Sequence, residues 1–75
     1  MYHIYGYEGC DYCSYAIDLL TTRDLQFTYY DIKSPDNLDK RQFILDQGFS
    51  TVPQVFLNKT HIGGFTDLES HVNAL

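Results

Sequence analysis

Two cysteines, Cys10 and Cys13, are the only thiols in the chain, and they stand three positions apart just after a short apolar run, Tyr2-His3-Ile4-Tyr5. Thiols at that spacing at the head of a helix lie close enough to close a small disulfide. The unpaired N–H groups and positive dipole end of such a helix favour a thiolate at the first of them. A zinc site would need four ligands, and only His3, His61 and His71 remain to complete one, none of them spaced as a second ligand pair, so no metal is assigned. A purely structural disulfide across so small a loop would constrain the unfolded chain very little. The chemistry that remains is thiol–disulfide exchange, which needs no general base: Cys10 is the attacking thiolate and Cys13 the resolving thiol.

The elements that must hold this pair can be read outward from it. Residues 2 to 5 make a strand, and Tyr7-Glu8-Gly9 is a loop whose glycine permits the turn into a helix. Cys13, Ala16, Ile17 and Leu20 recur at helical spacing, so a helix from Asp11 to about Arg23 buries Cys13 and leaves Cys10 at its capping turn. Leu25 to Ile32 has a β-type composition, and strand-helix-strand implies a parallel pair. Ser34-Pro35-Asp36 reads as a helix start, with the helix running to about Gln47, Gly48 following it, and Leu38, Phe43, Ile44 and Leu45 facing inward. Gln54 to Leu57 and His61-Ile62 form a hairpin across Asn58-Lys59-Thr60. Gly63-Gly64 ends it, and Thr66-Asp67-Leu68-Glu69 has the capping-box form, opening a last helix with the stripe Phe65, Leu68, Val72 and Leu75. The order β-α-β-α-β-β-α over residues 1–75 predicts one α/β domain, a four-stranded mixed sheet flanked by three helices.

Composition narrows the function classes. Ten acidic residues against five Lys and Arg give a net charge of −5, which argues against nucleic acid as a partner, because phosphate binding needs clustered cations. No apolar run has the length of a membrane span, and the first residues lack the basic and apolar regions of a signal peptide. A soluble, cytoplasmic monomer is expected, in a compartment where such a pair cycles instead of staying oxidised.

Together, Cys10-Asp11-Tyr12-Cys13, Thr51-Val52-Pro53 and Gly63-Gly64-Phe65-Thr66-Asp67 resemble the glutaredoxin family of the thioredoxin fold, and the likeness covers nearly the whole chain. The resemblance implies a dithiol oxidoreductase that reduces protein disulfides or glutathione mixed disulfides, holds no tightly bound cofactor, and takes glutathione as co-substrate. It implies a cis bond before Pro53, and a glutathione groove formed by Tyr12, Thr51, Val52, Pro53, Gly64, Phe65, Thr66 and Asp67. Read as a residue, Pro53 either starts an edge strand or frees the backbone of Val52 to pair with an extended ligand, and the resemblance favours the second. Likewise, Thr66 and Asp67 can cap a helix and still serve the γ-glutamyl carboxylate and ammonium of glutathione.

Two positions depart from the family pattern. Asp11 stands where proline is usual, and Tyr7 replaces the usual cation three residues before the first cysteine. The carboxylates of Asp11 and Glu8 oppose a thiolate at Cys10, which makes the pair more reducing. The glycyl carboxylate of glutathione then falls to Lys40 or Arg41, with Lys40 preferred. Two other functions use the same residues. One is a redoxin serving ribonucleotide reductase and reduced by thioredoxin reductase. The other is a carrier in which Cys10 of two chains and two glutathiones hold a [2Fe–2S] cluster.

Overall fold

The computed structural model describes residues 1–75. Strands β1 (Tyr2–Gly6), β2 (Phe27–Asp31), β3 (Gln54–Leu57) and β4 (Thr60–Gly63) form one sheet in the order β2-β1-β3-β4. β1 runs parallel to β2 and antiparallel to β3, and β3 pairs with β4 as the expected hairpin. The helices are α1 (Asp11–Thr22), α2 (Leu38–Asp46) and α3 (Phe65–Asn73). This is the four-stranded mixed sheet and β-α-β-α-β-β-α order expected from the sequence, and no helix is long and apolar enough to cross a membrane.

Alternation along β1 sends its side chains to two cores. Tyr2 and Ile4 pack with Ala16 and Leu20 of α1, Val55 of β3, and Leu68 and Val72 of α3. Tyr5 packs on the other face with Ile44 of α2 and Phe56 of β3. The stripe read on α1 is correct: Cys13, Ala16 and Leu20 are buried, with Ile17 packed at their edge.

Three local expectations need correction. The second helix is broken at its start, because Ser34 Oγ accepts the Asp36 N–H at 3.3 Å and Asn37 Nδ2 donates to the Asp31 carbonyl. These bonds hold Pro35–Asn37 as a separate 3-10 turn before α2. Of the four residues expected to face inward, only Ile44 is buried, since Leu38 and Leu45 fall on other sides of a nine-residue helix and stay exposed. The last helix starts two residues earlier than its capping box suggests. Gly64 is the N-cap without a side-chain bond, so Thr66 lies within the first turn; the helix ends at Asn73, leaving Leu75 exposed beyond it.

Candidate active site

The C-terminal end of β1 delivers the chain to the thiols. Gly9 takes φ +91, the left-handed region that a Cβ disfavours, and turns the loop so that Cys10 becomes the N-cap of α1. Cys10 and Cys13 are joined as a disulfide with their Cα atoms 5.2 Å apart. The Cys13 backbone N–H donates to Cys10 Sγ at 3.1 Å, which offers a charge-stabilising partner to that sulfur once the pair is reduced. The two sulfurs differ in access as expected: Cys10 is half-buried, whereas Cys13 is 1% exposed. Gly6 explains how Cys13 fits, because a Cβ at that glycine would stand 2.5 Å from Cys13 Sγ.

Two other segments converge on the pair. The Val52–Pro53 peptide bond is cis, as the resemblance implied, and the Val52 carbonyl oxygen lies 3.9 Å from Cys10 Sγ. Thr51, just before it, is held by Gln54, whose amide Nε2 donates to the Thr51 carbonyl at 3.0 Å and to its hydroxyl at 3.2 Å. Gln54 is buried, and its Oε1 takes a hydrogen bond from His61 Nε2 at 2.8 Å, which fixes that ring nitrogen as a donor. Gly64 approaches from the head of α3, where a Cβ would sit in ordinary contact with the Pro53 carbonyl at 3.7 Å. Tyr12 and Phe65 meet with ring centroids 5.9 Å apart, so the N-termini of α1 and α3 lie side by side. Asp67 turns its carboxylate back over Gly63, which has φ +130 and no room for a Cβ there.

Cations are distributed differently from the sequence reading. Lys40 bonds Asp39 at 3.3 Å and stands 5.2 Å over the Tyr30 ring; its pKa is raised, first by that hydrogen bond and then by the same carboxylate's charge. Arg41 instead lines an open cleft with Tyr7, Lys33, Thr51 and Val52, next to the disulfide. Lys33 Nζ lies 3.9 Å over the Tyr7 ring. The parallel register explains this neighbour: Gly6 pairs with Asp31, so the residues leaving β1 and β2 run together, and the Ile32 N–H donates to the Gly6 carbonyl at 2.8 Å. A cation is thus present beside position 7, supplied by the turn that follows β2.

The structure therefore brings Cys10, Cys13, Tyr12, Thr51, Val52, Pro53, Gly64, Phe65 and Asp67 to one end of the sheet, with exposed Thr66 in the adjoining first turn of α3. It sets Lys40 apart from the cleft. Sequence reading assigned no role at the site to Gly6, Lys33 or Gln54. The three histidines occupy separate places: His3 bonds Tyr30, His71 bonds Tyr2 and His61 bonds Gln54, as befits ordinary strand and helix positions.

Residues 3–62 match the glutaredoxin family. Among curated relatives, glutaredoxin 1 of Escherichia coli is 37% identical over 92% of this chain and 88% of its own length, and glutaredoxin 3 of the same organism is 39% identical over 87% and 77%. Among solved structures, glutaredoxin 1 of Francisella tularensis superposes with a TM-score of 0.78 at 30% identity, covering 97% of this chain and 92% of that one. Reduced E. coli glutaredoxin superposes at 0.75 with 36% identity, covering 97% and 93%. A cap cysteine bonded to a buried one, beside a cis proline and at the end of this sheet, is the matching chemistry. The chain belongs to the glutaredoxin family and is a glutathione-dependent thiol–disulfide oxidoreductase.

Proposed function

We propose that Cys10 is the nucleophile and Cys13 the resolving thiol. Cys10 thiolate attacks one sulfur of a substrate disulfide, the other sulfur leaves as a thiolate that takes a proton from solvent, and a mixed disulfide remains on Cys10. For a protein disulfide, Cys13 then attacks Cys10 Sγ, releasing the second substrate thiol and closing the Cys10–Cys13 bridge. Two glutathiones reopen that bridge and leave as glutathione disulfide. The observation that carries this reading is the unequal access of the two sulfurs, with the Cys13 N–H directed at Cys10 Sγ.

Glutathione lies, in this reading, along the Val52 backbone as an added strand, with its sulfur at Cys10 and its γ-glutamyl group at Thr66 and Asp67 on α3. Thr51 and Pro53 shape the groove, and Tyr12, Gly64 and Phe65 flank it. Its glycyl carboxylate goes to Lys33 and Arg41 in place of Lys40, because these two cations line the cleft that also holds Thr51 and Val52. The protein works as a monomer on protein disulfides in a reducing cytoplasm.

The test compares two single variants on two substrates. Cys10→Ser is expected to lose all activity. Cys13→Ser is expected to keep reduction of glutathione mixed disulfides while losing reduction of an intramolecular disulfide, such as that of oxidised ribonucleotide reductase. Equal loss of deglutathionylation in both variants would overturn the assignment.

A further inference from the structure

Next to the disulfide is an aromatic surface that begins at the Tyr12 and Phe65 flank of the glutathione groove and extends past it through Tyr15. Tyr12 and Tyr15 are 58% and 49% exposed, on the side of α1 away from its buried stripe of Cys13, Ala16 and Leu20. Their rings meet edge to face with centroids 5.5 Å apart, and Tyr15 also meets Phe65 of α3 at 6.0 Å. Three aromatic rings thus make one patch across the α1–α3 seam, continuous with Cys10 through Tyr12 and extending one helical turn beyond it through Tyr15.

The charge around this patch has one sign. Asp11 and Asp18 lie four residues before and three after Tyr15, on the same face of α1, and Glu69 lies four residues after Phe65 on α3. All three are exposed, as is Asp67. Neither helix contains a Lys or Arg. Arg23 sits past the far end of α1, bonded to Asn73, and Lys33, Lys40, Arg41 and Lys59 lie outside these helices. Aromatic faces inside an acidic border attract a side chain that is cationic at its tip and apolar along its stem.

We propose that this patch is the docking surface for the protein substrate, and that it selects disulfides flanked by basic and aromatic residues. The inference rests on the oxidoreductase function given above and adds the class of substrate. The substrate cysteine reaches Cys10, its extended backbone follows Val52, and an Arg or aromatic residue beside it lies on Tyr15 and Tyr12. Chemistry is unchanged: the substrate disulfide gains two electrons and two solvent protons, the Cys10–Cys13 dithiol becomes the disulfide, and glutathione restores it.

Two peptides test this, each with one intramolecular disulfide, one carrying Phe and Arg next to its cysteines and the other Ser and Glu. Reduction is followed with glutathione as reductant, and bis(2-hydroxyethyl) disulfide serves as a third substrate that has no flanking residues. Wild type is expected to favour the Phe/Arg peptide by at least about tenfold in kcat/KM at low salt, a preference that shrinks as salt is added. Tyr15→Ser and Asp18→Lys are each expected to lower that ratio, and Tyr15→Phe to keep it. Equal use of both peptides by wild type, preference for the Ser/Glu peptide, or a Tyr15→Ser variant with an unaltered ratio would overturn the proposal. Failure of wild type to turn over bis(2-hydroxyethyl) disulfide would instead overturn the oxidoreductase reading itself.

Discussion

Gly6 and Cys13 occupy one space: a Cβ on Gly6 would lie 2.5 Å from Cys13 Sγ and 3.2 Å from its Cβ. The need for glycine here comes from close approach, since Gly6 has no left-handed backbone. The sulfur cannot give way, because it is buried and tied to Cys10. Gly6→Ala is therefore expected to lower stability by about 1–3 kcal/mol, the usual cost of overpacking a tight site. Denaturant midpoints of the oxidised protein measure this. Gly64→Ala, which meets only an ordinary contact at 3.7 Å, is expected to change stability far less. Equal effects of the two would mean that β1 shifts freely away from α1.

Gly63 has a different demand, which joins it to Asp67. Its φ of +130 is already unfavourable for an L side chain, and a Cβ would collide with the Asp67 carboxylate. Gly63→Ala is expected to destabilise by about 1–3 kcal/mol and to displace Asp67. If Asp67 binds the γ-glutamyl ammonium, Gly63→Ala and Asp67→Ala share a signature: KM for glutathione rises more than kcat falls, because the lost contact is remote from the reacting sulfur. Steady-state kinetics at varied glutathione checks this. An unchanged KM in Asp67→Ala would leave that carboxylate only its place in the first turn of α3.

These two glycines mark how far the sequence could be read. Periodicity placed Cys13 on the buried stripe of α1, and turn chemistry located the hairpin, because both are local patterns of a few residues. The fit of Gly6 against Cys13 is a contact across two elements and has no local signature. The same holds for Lys33, which follows Tyr7 by many residues and meets it only because β1 and β2 pair in parallel. Lys40 and Arg41 are neighbours in sequence, but one helical step turns the first toward Tyr30 and the second into the cleft. The capping-box pattern at Thr66 misled for the opposite reason: it is a local signal, and α3 already starts at Phe65, with Gly64 as its N-cap and no side-chain cap bond.

The placement of cations gives a separable kinetic prediction. Lys33→Ala and Arg41→Ala are each expected to raise KM for glutathione about two- to fivefold, in keeping with ion pairs that remain accessible to water. The effect should fade as ionic strength rises. Lys40→Ala is expected to leave KM unchanged, since its ammonium is held by Asp39 outside the cleft. A larger effect from Lys40 than from Lys33 and Arg41 would return the carboxylate to the position first expected from the sequence.

Two tyrosines, Tyr5 and Tyr29, give a prediction for stability at alkaline pH. Burial raises the pKa of Tyr29 above its ordinary value of 10.0, and the charges of Asp31 and Glu8 push it the same way. Burial also raises that of Tyr5, helped by Tyr30 and opposed by the ammonium of Lys40. Each hydroxyl therefore keeps its proton in the folded state at pH values where the unfolded chain has begun to release it. The stabilising contribution is fully present below the unfolded value and is lost as pH rises through the folded one, because in that window the folded protein binds more protons than the unfolded. Stability is expected to fall from about pH 10 upward. Tyr29→Phe removes one of the two groups and is expected to flatten that fall, and Tyr5→Phe to do the same. Urea midpoints between neutral pH and pH 11 would decide it. Alkaline limbs that coincide in wild type and both variants would show that other groups, the lysines first among them, control the loss.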